Sequence, residues 1–136
     1  MHIENLDLVL CEGINKSAQI IFQNNKEKGF WDKKRNVGEL LMLVTSELSE
    51  ALEAHRKGKF ANIEKFDESL ISLKKDENAY SEHFKMWMKD TFEDEIADAI
   101  IRLLDLSAGL GIDLEKHINA KVRYNKTRPK LHGKLF

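Results

Sequence analysis

The sequence predicts an all-α protein, and three observations support that prediction. Apolar residues recur at steps of three and four, the period of an amphipathic helix. Pro129 is the only proline in 136 residues, so most of the chain lacks the residue that breaks helices. No stretch of useful length alternates apolar with polar residues as a strand would. We expect one domain over residues 1–136: a bundle of four to five helices, completed by oligomerisation because so few helices leave apolar faces uncovered.

Composition excludes several classes of protein. Apolar residues make up 42% of the chain and charged residues 33%, which is the balance of a soluble globular domain. The formal net charge of -1 provides no field for a nucleic acid polymer or an anionic membrane. Cys11 is the only cysteine, which excludes an internal disulfide and a thiolate zinc site. No apolar run has the length of a membrane span or resembles a signal peptide, so we expect a cytoplasmic protein.

The first half of the chain contains two predicted helices. Apolar residues from Leu6 to Phe22 place the first helix at about residues 5–28, weakened at Gly13 and ended by Gly29. A loop then carries Trp31 beside three basic residues. The second helix runs from Val37 to about residue 57, with Asn36 as its N-cap, Glu39 completing a capping box and Gly58 at its end.

The second half of the chain is predicted to be helical with one uncertain connection. Residues 59–78 favour a short helix in a long connection. The segment of about residues 60–80 is expected to form either a lid or an interface. A strong helical pattern follows from Ala79 to Ser107, with a possible break at Asp90 and Thr91 because these residues prefer caps to helix interiors. The last helix runs from Leu114 to about Lys126, is capped by Asp113 and stops before Pro129.

Two acidic pairs are the main candidates for chemistry. Glu47 and Glu50 lie three residues apart, as do Glu95 and Asp98, so each pair shares one face of its helix. The first pair lies beside an apolar line that we expect in the core, formed by Val37, Leu41, Val44, Leu48 and Leu52. Four acids at the edge of an apolar core repel one another and cost several kcal/mol per ion if unpaired. A hard divalent cation such as Mg²⁺, for which Mn²⁺ substitutes, is the simplest partner.

The basic end of the chain suggests the substrate. Residues 121–134 contain six Lys or Arg and no acid. An acidic metal centre beside basic residues suits a polyphosphate, and Trp31 or Tyr124 offers a ring on which a base stacks. Lys89 is either a phosphate contact or an ordinary solvated lysine. Arg102 either contacts phosphate or forms an ion pair with Asp98. These features suit hydrolysis of a nucleoside triphosphate.

The two acidic motifs resemble those of the MazG-like all-α nucleoside triphosphate pyrophosphohydrolases. The similar stretches are Ser46-Glu47-Leu48-Ser49-Glu50, Glu93-Asp94-Glu95-Ile96-Ala97-Asp98 and Gly111-Ile112-Asp113-Leu114, and residues 124–134 resemble a small, phage-like subgroup. The resemblance implies a helical dimer or dimer of dimers that cleaves (deoxy)nucleoside triphosphates to the monophosphate and pyrophosphate with Mg²⁺, in nucleotide-pool house-cleaning. Ser46 stands where many members have Glu, for which Glu53 is a possible substitute.

Residue roles also follow from this resemblance. Glu47, Glu50, Glu95 and Asp98 would hold the metal and form the catalytic centre. The resemblance favours substrate contacts by Lys121 and Asn125, and the sequence itself adds as candidates Trp31, Lys89, Arg102, Tyr124 and Lys126. The alternative function is a non-catalytic helical interaction or nucleotide-sensing module, in which the acids only pair with basic residues. A related enzyme acting on a phosphoribosyl nucleotide is a further alternative, which residues 124–134 do not favour. The preferred base and sugar, the number of metal ions and the identity of the general base stay open.

Overall fold

The described part of the chain is all-helical. The structure, a computed structural model, describes residues 13–72 and 76–135 and contains no strand within them. These described residues form six α-helices and a short 3₁₀ turn at Lys130–Gly133: α1 Ile14–Glu27, α2 Val37–Arg56, α3 Ile63–Ser72, α4 Glu77–Trp87, α5 Phe92–Gly109 and α6 Leu114–Lys126. The predicted all-α class is confirmed. The count exceeds the predicted four to five because residues 63–72 form their own helix and the long helical stretch is interrupted.

The described residues divide into two compact units. The central unit comprises residues 35–103, and the terminal unit combines residues 13–34 with residues 104–135. The boundary between them falls within α5. A single domain over the whole chain therefore stays a prediction.

In the terminal unit, α1 packs against α6. Gly13 precedes α1 with φ +88°, a left-handed conformation that favours glycine. The predicted helix therefore does not continue through Gly13, and its residues 5–12 lie outside the described part of the chain. Asn15 joins the starts of the two helices: its side-chain Nδ2 donates to Asp113 Oδ1 at 2.8 Å, and its backbone N–H donates to Glu115 Oε1 at 2.8 Å.

In the central unit, α2 begins as predicted but buries a different face. Asn36 Oδ1 accepts a hydrogen bond from the Glu39 N–H at 3.1 Å, which confirms the N-cap. The buried residues of α2 are Leu40, Val44, Glu47, Ala51 and Ala54. Apart from Val44, the predicted apolar core line is 42–52% exposed, at Val37, Leu41, Leu48 and Leu52. The prediction that this line lies in the core is therefore wrong. Glu47, the first acid of the motif, lies on the buried face of α2 instead.

The connection from α2 to α5 is held by short-range contacts. Phe66 of α3 is buried and packs edge-to-face with Tyr80 and Phe84 of α4. Between α4 and α5 the chain turns at Asp90, which has φ +60°, so the predicted break at Asp90 and Thr91 is confirmed. The start of α5 is tied to the residues after α2, because the Phe92 N–H donates to the Lys59 carbonyl at 2.8 Å.

Length and hydropathy decide whether any of the described helices could span a membrane. None of those in residues 13–72 and 76–135 combines the length and apolar character needed to cross a bilayer.

Candidate metal centre

Three carboxylates of the central unit converge. Glu47 and Glu50 from α2 and Glu95 from α5 each offer one oxygen, and these oxygens all lie within 4.8 Å of one another. We call these three residues the acidic trio. Glu47 is 8% exposed and Glu95 is 6% exposed, whereas Glu50 faces solvent. The trio is thus partly enclosed by protein and open on one side.

The local sequence explains how an acid enters the buried face. Along α2 the buried positions follow steps of four and three, and Glu47 occupies one of them between Val44 and Ala51. Positions separated by three or four residues share one face of a helix. Ala99 of α5, one turn after Glu95, is also buried. The buried faces of both helices therefore carry small apolar residues beside an acid.

The electrostatic environment opposes ionisation of Glu95 and of its neighbour Asp98. The pKa of Glu95 rises from 4.5 to about 7, and burial is the largest cause. The negative charge of Glu50 and hydrogen bonds with Glu47 and Glu50 raise it further. Burial also raises the pKa of Asp98, together with the neighbouring charges of Asp94 and Glu47. Desolvation and like charges both favour the neutral acid. A cation bound among these oxygens would reverse that preference.

One protein cation already contacts the trio. Arg102 of α5 donates from Nε to Glu47 Oε1 at 2.6 Å, with 40% of the arginine side chain and 10% of the glutamate side chain exposed. Hydrogen bonds between ionised partners are shorter and stronger than neutral ones. The sequence suggested an ion pair between Arg102 and Asp98, whereas the ion pair in the structure joins Arg102 to Glu47. Its charge also opposes the rise in the pKa of Asp98.

Asp98 lies beside the trio without belonging to it. It is partly buried, and its charge contributes to the raised pKa of Glu95. The close group of oxygens includes only the three glutamates. Its role as a fourth ligand stays a prediction.

Two other residues predicted to bind substrate have protein partners. Lys89 lies in the turn after α4, with Nζ 3.7 Å from Asp90 Oδ2. Trp31, in the terminal unit, donates from Nε1 to the buried Asp105 at 3.0 Å. Its ring packs edge-to-face on Phe22 and lies so close to Gly109 that a Cβ there would be 2.4 Å from the indole. These contacts give Trp31 a packing role, and base stacking by Trp31 stays a prediction.

The remaining predicted substrate residues lie on α6 of the terminal unit. Lys121 Nζ stands 5.1 Å from the centroid of the Tyr124 ring. Tyr124 lines a groove of about 690 Å³ together with Arg123 and Thr127. Asn125 Oδ1 is buried and accepts no hydrogen bond from the described residues, and Lys126 is exposed. Their substrate contacts stay predictions.

The sequence interpretation missed two acids with defined positions. Asp105 is 6% exposed and anchors the Trp31 indole; its place between Leu104 and Leu106 on a helix was the available signal. Asp94 accepts a hydrogen bond from the Asp90 N–H at 2.9 Å and contributes to the raised pKa of Asp98. Asp94 therefore adds negative charge next to the predicted ligands.

Comparison with known proteins adds no relative. No protein-family model, curated protein or solved structure matches this chain. The MazG-like resemblance therefore remains an interpretation of the acidic motifs. The trio presents only carboxylate oxygens, the ligands preferred by Mg²⁺ and Mn²⁺.

Proposed function

We propose that this chain is a Mg²⁺-dependent hydrolase that converts a (deoxy)nucleoside triphosphate to its monophosphate and pyrophosphate, as the MazG-like resemblance implies. A cytoplasmic role in removing unwanted nucleotides is part of the proposal. The observation that supports it most is the acidic trio, whose oxygens lie within 4.8 Å of one another. Two buried carboxylates facing a third are costly without a cation, and such clusters with shifted pKa values concentrate at functional sites.

The proposed roles follow from the positions of the acids. Glu47, Glu50 and Glu95 hold Mg²⁺, with Asp98 as the fourth predicted ligand. When bound, the metal neutralises charge on the phosphoryl oxygens and orients the polyphosphate. A carboxylate of the central unit accepts the proton of the attacking water. The water oxygen bonds to the α-phosphorus as the bond from that phosphorus to the α–β bridging oxygen breaks, and pyrophosphate leaves. Nucleotide contacts by Lys121, Tyr124, Asn125 and Lys126 stay predictions from the sequence.

Product analysis tests this proposal directly. Purified full-length chain is incubated with Mg²⁺ and each natural dNTP and NTP in turn, and the products are separated by chromatography. We expect monophosphate and pyrophosphate in equal amounts from at least one nucleotide. Release of orthophosphate with a diphosphate, or no turnover of any nucleotide, contradicts the proposal.

The alternative, a non-catalytic interaction or nucleotide-sensing module, is favoured by one observation. Glu47 already has a cationic partner in Arg102, as that alternative requires. Thermal unfolding in EDTA, in Mg²⁺ and in Mg²⁺ with nucleotide separates the two functions. A ligand that binds only the folded chain raises its apparent stability. An unfolding temperature that is indifferent to metal favours the interaction module.

We also propose that a second copy of the chain covers the exposed apolar line of α2, giving a homodimer or a dimer of dimers. Leu41, Leu48 and Leu52 are 46–52% exposed at steps of seven and four, and apolar area contributes about 25 cal/mol per Å² when buried. Leu41→Glu is expected to give a monomer in sedimentation velocity. Ile71→Glu, at an 86% exposed position of α3, is the matched control and should keep the wild-type mass. A wild-type monomer contradicts this part of the proposal.

A further inference from the structure

Arg102 holds the same carboxylate that the proposed function assigns to the metal. Its Nε lies 2.6 Å from Glu47 Oε1, a distance typical of a charge-assisted hydrogen bond. The Glu47 side chain is 10% exposed, so little water competes with the guanidinium. An ion pair in such a setting is stronger than one in bulk solvent.

The position of Arg102 on α5 brings its charge to the acids of that helix as well. Arg102 follows Asp98 by four residues and Glu95 by seven, so all three share one face of α5. Among the groups that shift the pKa of Asp98, Arg102 is the one that lowers it, whereas Asp94, Glu47 and Glu50 raise it. Arg102 therefore offsets part of the repulsion among the acids, which is also what a bound metal ion does.

A carboxylate oxygen that accepts a short hydrogen bond from a guanidinium has less electron density and less room for a metal ion. Ligand oxygens lie about 2.0–2.1 Å from Mg²⁺, and a guanidinium at hydrogen-bond distance from the same oxygen repels the ion. A metal ion that binds through Glu47 Oε1 thus competes with Arg102 for that atom. Arginine does not lose its charge in proteins, so deprotonation does not remove the competitor.

We infer that Arg102 is a competing cation built into the site, which occupies Glu47 Oε1 and competes with a metal ion for this carboxylate. By holding this carboxylate, Arg102 lowers the affinity of the nucleotide-free site for a metal ion. The inference rests on the proposed metal role of the acidic trio. It differs from a simple phosphate contact because its effect is present before any substrate is added.

The test is direct titration with Mn²⁺ alone, without nucleotide, by calorimetry at one fixed pH. Arg102→Met removes the charge and all donors while keeping an unbranched side chain. We expect Mn²⁺ to bind about tenfold more tightly to this variant. The free energy that corresponds to this change is comparable with that of one hydrogen bond to a charged group. Arg102→Lys keeps the charge but replaces the donor geometry, and it should bind Mn²⁺ with intermediate affinity. It also provides a folded comparison if Arg102→Met does not fold.

Lys57→Met is the matched control. Lys57 pairs with Glu53 at 3.0 Å on α2, with both side chains more than half exposed, so this variant loses the same charge without touching the trio. Its affinity for Mn²⁺ should stay within about twofold of the wild-type value, as expected for a screened surface charge.

The outcomes separate the inference from the function on which it rests. If the wild-type chain binds Mn²⁺ and Arg102→Met binds it equally or more weakly, the inference is overturned while the metal centre stands. An equal gain in Lys57→Met also overturns it, because the effect would then be one of net charge. If neither the wild-type chain nor Arg102→Met binds Mn²⁺, the metal role of the trio and the inference both fail.

Discussion

Two groups of acidic residues in this chain have opposite surroundings. In the acidic trio, Glu95 is buried against Glu50 and Glu47, and its pKa rises to about 7. At the start of α6, Asp113 accepts hydrogen bonds from the Asn15 side chain and the Lys116 N–H, and these bonds lower its pKa. Carboxylates that accept hydrogen bonds from donors are favoured in the ionised form, whereas buried carboxylates that face one another are disfavoured in that form. The contrast separates a structural group of acids from a candidate binding site.

The largest expected effect concerns activity and belongs to the trio. Glu50→Gln keeps the size of the side chain but removes a charged ligand, so turnover of a nucleoside triphosphate should fall by roughly two orders of magnitude or more. Helix content measured by circular dichroism should not change, because Glu50 is exposed. Glu82→Gln, on the exposed face of α4, is the control and should retain wild-type turnover. Wild-type activity in Glu50→Gln would remove Glu50 from the proposed ligands.

The second effect is a pH dependence of stability in EDTA. Glu95 has a folded-state pKa of about 7 against its ordinary 4.5, so the folded chain holds this proton more tightly than the unfolded chain does. The free energy of unfolding therefore falls as pH rises from about 4.5 to 7. The decrease should approach about 3 kcal/mol for a shift of this size. Chemical denaturation at a series of pH values measures it.

Two comparisons sharpen that result. Glu95→Gln should be less sensitive to pH over this interval and more stable than the wild-type chain at the alkaline end. Mg²⁺ should restore stability to the wild-type chain at alkaline pH and have little effect on Glu95→Gln. A wild-type chain whose stability is flat between these pH values would show that the trio does not repel as described.

The third effect has the opposite sign and belongs to the terminal unit. Because the pKa of Asp113 is lowered, its stabilising contribution is present above the ordinary pKa of an aspartate and is lost as pH falls through the folded-state value. Asn15→Ala removes the side-chain hydrogen bond that lowers the pKa of Asp113 the most. We expect a fall of a few degrees in the unfolding temperature at neutral pH, and a smaller difference between variant and wild type in acid. An unchanged unfolding temperature would show that this contact does not stabilise the chain.

The smallest effect is expected for an ordinary surface ion pair. Lys57→Met breaks the Glu53–Lys57 pair on α2, in which both side chains are more than half exposed. Such pairs contribute about 0.3–0.5 kcal/mol, so the free energy of unfolding should change by no more than that. A larger loss would mean that Glu53 has a role beyond this pair.

Local patterns in the sequence predicted much of the secondary structure. The Asn36 and Asp113 caps are confirmed because capping depends on a side chain and an N–H two or three residues away. The interruption at Asp90 and Thr91 is confirmed for the same reason. The buried face of α2 was predicted incorrectly, since the line with more large apolar residues was taken for the core. Small residues and Glu47 occupy the buried line instead.

By itself, the sequence determined the helical class, most helix ends and the pairing of acids on single helix faces. These properties depend on residues within about one turn of each other, whose spacing the chain sets directly. Only the tertiary structure decided that Glu95 meets Glu47 and Glu50, that Arg102 pairs with Glu47 of α2, and that Trp31 anchors on Asp105. Contacts between distant segments depend on which helix faces pack together, and apolar periodicity alone does not select that face.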